Sequence, residues 1–129
     1  AIVARALLPG IAVFGAEPQG AGDTALSLER GERVTEFPVN TIADGLRALV
    51  GVLNFGIIKD GVERVLTVTE EGIVEAMAFT WRHYRMLIEP SSATVVAAML
   101  EHRDHFAGRR VGAIITGGNL DPRQLPFKP

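Results

Sequence analysis

No cysteine occurs among the 129 residues. That excludes a disulfide scaffold, a thiolate zinc site and a cysteine nucleophile, and it is consistent with a cytoplasmic location. Neither sign of charge dominates: 13 basic and 15 acidic residues give a net charge of −2. Both signs are spread along the chain, so a nucleic-acid partner is not expected. Long apolar runs are missing too. The longest uncharged ones, residues 48–58 among them, have 11 residues, against the roughly 20 needed to span a bilayer, so no membrane partner is expected either. Arg5 followed by residues 6–16 loosely mimics a secretion signal, but Pro9-Gly10 divides it. We read there the end of a helix, a turn and then a strand. Aromatic residues are scarce at 6%, yet 47% of the chain is hydrophobic, enough for a packed core and too much for a disordered tail. The length fits one compact unit or one part of a larger one.

Three nearly continuous apolar runs, residues 11–15, 65–68 and 111–116, read as strands covered on both faces. Helical signals fall between them. Thr41-Ile42-Ala43-Asp44 has capping-box spacing, with Leu46, Leu49 and Val50 following at helical intervals. Thr69 can cap a long helix whose first turn carries Glu70 and Glu71. On that helix Ile73, Met77, Trp81, Tyr84 and Ile88 trace one face, and Pro90 ends it. Ser91 or Ser92 then caps a second helix to about Glu101, with Val95, Val96, Met99 and Leu100 as its buried stripe. Three prolines within residues 121–129 predict an irregular tail. The alternation predicts an α/β fold: three layers, with a mostly parallel sheet between flanking helices. Three strands leave two sheet edges to cover, a first hint that the 129 residues belong to something larger.

Four places fall at strand ends or loops. After the first strand, Glu17 and Asp23 flank a glycine-rich loop whose carbonyls could help bind Mg²⁺ or Ca²⁺. From spacing alone the preferred reading is plainer: Asp23 caps a helix over residues 24–29 and Glu17 is solvated. Thr116-Gly117-Gly118-Asn119 follows the last strand, where open α/β sheets bind ligands, but an ordinary turn fits as well. Glu89 follows two apolar residues at a helix end, where burial would perturb its pKa and mark a site, but an exposed helix terminus fits equally well. Residues 40–45 read as helix capping. His102 and His105 could share a helix face, but their charged surroundings favour a solvated surface, and His83 sits between arginines on the exposed side of the long helix. No nucleophile elbow, His-Glu-x-x-His or Walker motif is present.

Together, in this order and spacing, these segments resemble the C-terminal part of the fold-type II pyridoxal-phosphate enzymes, specifically the serine/threonine dehydratases and serine racemases. The residues that carry the resemblance are Gly15-Ala16-Glu17-Pro18, Thr41-Ile42-Ala43-Asp44-Gly45-Leu46, residues 65–71, Leu87-Ile88-Glu89-Pro90-Ser91 and Thr116-Gly117-Gly118-Asn119. They extend over about residues 1–121. The resemblance implies part of the large domain of such an enzyme. Thr116 stands where the family usually has a serine whose hydroxyl hydrogen-bonds the pyridine nitrogen of pyridoxal 5′-phosphate. Gly117, Gly118, Asn119, Glu89 and Gly45 lie near that cofactor. Glu17 and Asp23, with the carbonyl of Ala21, match a divalent-cation site and move the preference there towards Mg²⁺ or Ca²⁺. Ser92 departs from the family, which usually has glycine at that position.

A neutral hydroxyl at the ring nitrogen does not force its protonation, which leaves a weaker electron sink and suits β-elimination. The resemblance therefore implies an ammonia-lyase that converts a small hydroxy amino acid, threonine or serine, to a 2-oxo acid and ammonia. Amino-acid racemisation, or a non-catalytic module that binds a cation or assembles with a partner chain, are the other readings. In the family the Schiff-base lysine and the phosphate loop lie upstream of position 1. Lys59 and Lys128 are the only lysines, and neither matches the family's. The expectation is thus a C-terminal segment, inactive alone, that needs the N-terminal half of the enzyme as partner and forms a homodimer.

Overall fold

The computed structural model describes residues 1–128. Its order is helix α1 (Ile2–Leu7), strand β1 (Phe14–Pro18), α2 (Asp23–Arg30), α3 (Val52–Gly61), β2 (Arg64–Val68), α4 (Glu70–Tyr84) and α5 (Pro90–Glu101). Short 3-10 turns occupy Gln19–Ala21, Asp44–Leu46 and Arg103–His105. β1 and β2 pair in parallel, from Phe14 opposite Arg64 to Pro18 opposite Val68. Side chains alternate across a strand. Leu66 and Val68 therefore face one way, into a core shared with Ile73 and Met77 of α4 and Ala93, Val96 and Ala97 of α5. Thr67 faces the other way and meets Gly22 at the start of α2. The result is three layers: α4 and α5, the sheet, and α2. Ile73 is fully buried, and burying a side chain of that size is worth about 1.5–3 kcal/mol.

The third expected strand does not form. Among the described residues, 111–116 pair with no strand, and Val111 and Ile114 are exposed. A strand needs a neighbour about 4.8 Å away to take its backbone bonds, and here the sheet stops at two. The expected helix after Thr41 is also absent. Thr41 Oγ1 instead accepts from the Ala43 N–H at 3.1 Å, while the Arg47 guanidinium closes the loop on the Thr41 carbonyl. The turn Asp44–Leu46 follows, and helix resumes only at Val52.

Thr69 caps α4, accepting from the Gly72 N–H at 2.9 Å. Its hydroxyl and N–H also donate to Glu101 at the end of α5. That clamp explains Gly72, since a Cβ there would run into the Glu101 carboxylate. Thr69→Ala should therefore lower stability by about 1–2 kcal/mol in urea unfolding of the full-length polypeptide. A change below about 0.3 kcal/mol would show that the cap carries no weight.

α4 ends at Tyr84, not at Pro90. Arg85 takes the left-handed conformation (φ 57°), and its N–H donates to the Trp81 carbonyl. Ile88 is buried although it lies beyond the helix, and Tyr84 is exposed, so the expected five-residue stripe breaks after Met77 and Trp81. Neither Ser91 nor Ser92 caps α5. Glu89 is its N-cap residue and Pro90 fills the first helical position, where a missing N–H costs nothing. The stripe of α5 is also smaller than expected: Ala93, Val96, Ala97 and Ala98 are buried, whereas Val95, Met99 and Leu100 are half-buried. The tail from 121 to 128 is irregular, as expected, and Pro129 lies outside the described residues. Among the described residues no helix is long and apolar enough to cross a membrane.

Candidate cofactor cleft

A cleft of about 340 Å³ opens between β1, the 44–46 turn, the start of α5 and the segment before Gly117. Ala16, Gly45, Glu89, Ser91, Ser92 and Thr116 stand on its wall. The positive end of the α5 dipole faces it, because Glu89 and Pro90 begin that helix there.

Two serines at the start of α5 hold the two sides. Ser91 Oγ accepts from the Gly45 N–H at 3.0 Å. Ser92 Oγ accepts from the Thr116 N–H at 2.9 Å and more weakly from the Gly117 N–H at 3.4 Å. The Glu89 N–H donates to the Gly117 carbonyl at 3.2 Å. Gly117 and Gly118 do not line the cleft. They let the chain pass closely beside α5: a Cβ on Gly117 would collide with the Glu89 carboxylate, and one on Gly118 would sit 2.7 Å from the Leu87 carbonyl. Asn119 is exposed and also off the wall. Of the six residues expected near a cofactor, the fold brings Thr116, Glu89 and Gly45 to one cleft. The bond from Ser92 across to Thr116 has no signature in the sequence: at the start of a helix a serine reads as a cap, and nothing local marks a partner 24 positions away.

The Glu17–Asp23 loop forms a second polar cluster. Both carboxylates are buried, which overturns the reading of Glu17 as solvated. Asp23 is not a cap either; it occupies the first turn of α2, and its Oδ2 accepts from the Val50 N–H at 2.8 Å. Glu17 Oε2 accepts from the Ala25 N–H at 2.8 Å. Burial raises the Glu17 pKa above the ordinary carboxylate value; the Ala25 N–H works against it, and the Asp23 charge adds to it. One oxygen of each carboxylate is thus held by backbone, and Ala21 is buried on the turn between them. Among the described residues no group of three or more His, Cys, Asp or Glu could hold a metal. Any cation here would depend on two carboxylates, carbonyls and water. The histidine pair is structural: His102 Nε2 bonds the Thr67 carbonyl at 2.9 Å, and His105 packs on Phe14.

Among the described residues no lysine lines the cleft. Lys59 Nζ donates to the Gly31 carbonyl at 2.8 Å, and Lys128 is exposed.

The family model described as "Pyridoxal-phosphate dependent enzyme" matches residues 1–117. The serine racemase of Dictyostelium discoideum is 49% identical over 124 residues, covering 93% of this chain and 38% of the racemase. Its crystal structure superposes with a TM-score of 0.85. The beta-hydroxyaspartate dehydratase of Paracoccus denitrificans is 39% identical over 121 residues, covering 94% of this chain and 38% of its own length. The crystal structure of a threonine deaminase from T.th. superposes with a TM-score of 0.80 at 36% identity, covering 98% of this chain and 44% of that one. The chain thus spans about 38% of the length of the curated relatives it matches. With its parallel sheet, its cleft at the start of α5 and a family match over most of its length, the chain belongs to the pyridoxal-phosphate dependent enzymes.

Proposed function

We propose that these residues form one wall of the cofactor site of an ammonia-lyase that acts on a 3-hydroxy amino acid such as threonine or serine. The observation that carries the reading is Thr116: exposed, on the cleft wall, and offering only a neutral hydroxyl. The residues fit pyridoxal 5′-phosphate. The cleft has room, Ala16, Gly45, Ser91 and Ser92 on its wall are small, and a Cβ on Gly45 would press on Ser91 Oγ at 3.0 Å. When bound, the cofactor draws electrons from the amino-acid α-carbon into its ring. In this proposal Thr116 hydrogen-bonds the ring nitrogen without giving it a full charge. Ser91, through Gly45, and Glu89, through Gly117, fix the two sides between which the ring lies. Gly117 and Gly118 support that wall from outside the cleft. The Schiff-base lysine comes from elsewhere in the full-length polypeptide, since neither Lys59 nor Lys128 stands on the cleft.

The reaction removes the α-proton and the 3-hydroxyl as water, and hydrolysis then yields a 2-oxo acid and ammonia. The test is to load the full-length polypeptide with cofactor, add threonine, serine or 3-hydroxyaspartate, and follow 2-oxo acid. No product from any of the three would defeat the lyase. A second reading, racemisation, is favoured by the 49% identity to a serine racemase. Chiral analysis of recovered serine separates the two.

The proposal extends to a divalent cation held by Glu17, Asp23 and the Ala21 carbonyl. A cation would offset the repulsion between the two buried carboxylates. Mg²⁺ or Ca²⁺ at about a hundred times its Kd should stabilise the full-length protein by about 2.7 kcal/mol. The accompanying rise in Tm should vanish in Glu17→Gln and Asp23→Asn. An equal rise in those variants would place the ion elsewhere.

A further inference from the structure

We propose that Ser92 is a positioning residue: its buried hydroxyl oxygen fixes Thr116 so that the Thr116 hydroxyl meets the ring nitrogen of the cofactor. The inference rests on the function proposed above and assigns a role to a side chain that departs from the family's usual glycine. Three observations carry it.

First, the Thr116 hydroxyl makes no hydrogen bond among the described residues, so the backbone that carries its Cβ sets where the hydroxyl can reach. Second, the segment carrying it is lightly tethered. Among the described residues, 111–116 join no sheet, and between Arg110 and Asn119 the hydrogen bonds to other elements are the two into Ser92 Oγ and the Glu89 N–H to the Gly117 carbonyl. Third, Ser92 is itself fixed. It is 1% exposed and lies in the first turn of α5, the helix packed on both strands and on α4. A hydroxyl on a rigid helix is the kind of support that holds a contact atom within a fraction of an ångström. Glycine at this position would leave the Thr116 and Gly117 N–H groups without this acceptor.

The test is a double-mutant cycle on cofactor affinity, measured by equilibrium dialysis of pyridoxal 5′-phosphate against the full-length apoprotein. Thr116→Val removes the hydroxyl and keeps the shape. Ser92→Ala removes the acceptor and leaves Thr116 in place. Each single change should raise Kd about five- to tenfold, and the double variant should be no worse than Thr116→Val within about twofold, because Ser92 acts through that hydroxyl. Multiplying effects would overturn the proposal and make Ser92 a general packing residue. An unchanged Kd in Ser92→Ala would overturn it as well. If Ser92→Ala does not fold, Ser92→Cys, with a weaker sulfur acceptor, carries the same cycle. Wild-type protein that binds no cofactor would defeat the functional reading itself, an outcome distinct from multiplying effects in protein that does bind.

Discussion

Gly117→Ala should strip the full-length enzyme of most of its cofactor while leaving the fold in place. The new methyl group would land on the Glu89 carboxylate, closer than any van der Waals contact. Glu89 makes no side-chain cap bond to α5, so it can swing aside. Alternatively the 116–118 turn can withdraw, which strains the Glu89 N–H to Gly117 carbonyl bond and the bonds into Ser92. Either movement displaces a wall of the cleft and leaves the hydrophobic core untouched. We expect Kd for pyridoxal 5′-phosphate to rise at least about tenfold, some 1.4 kcal/mol. Unfolding of the apoprotein should change by less than about 1 kcal/mol. Wild-type affinity in this variant would detach the cofactor from this cleft.

Gly20→Ala should do the reverse and damage the fold. Its Cβ would overlap the Asn40 carbonyl oxygen, a backbone atom that cannot rotate away. The two segments are already bound, with the Asn40 N–H donating to the Gly20 carbonyl at 2.7 Å. Relief requires parting the loop that carries Ala21 from the loop that leads to Gly45. Overpacking of this kind costs about 3 kcal/mol, visible as a lower urea midpoint or as loss of soluble protein. An unchanged midpoint would mean that residues 20 and 40 are not in contact.

What the sequence disclosed follows a physical divide. The start of α4 was legible because a threonine followed by two glutamates is a local instruction, complete within one turn. Its end was not: Arg85 turns left-handed without the glycine or asparagine that would announce it. The strands at 14–18 and 64–68 were legible, within a few residues, from their apolar runs. The run at 111–116 has the same composition but no ladder, because strand character belongs to a pair of segments and not to one. Thr41 to Asp44 mimicked a capping box, yet Glu70 takes the Ile42 N–H and Arg47 takes the Thr41 carbonyl. The convergence of Thr116, Glu89 and Gly45 came from family resemblance. The serine bonds that join them cross between segments 24 and 46 positions apart, beyond the reach of any local pattern.

The pairing of Phe14 with Arg64 also bears on how the molecule is made. Fifty positions separate the partners, so the intervening chain must close before the first rung of the ladder can form. Helices α4 and α5, by contrast, are neighbours in the chain and share the most extensive contact in the molecule. We expect this hairpin to nucleate folding and the two strands to zip onto it afterwards. Pulse-labelled hydrogen exchange on the full-length protein should find amides at 73–84 and 93–101 protected before those at 64–68. Simultaneous protection would point instead to a concerted collapse.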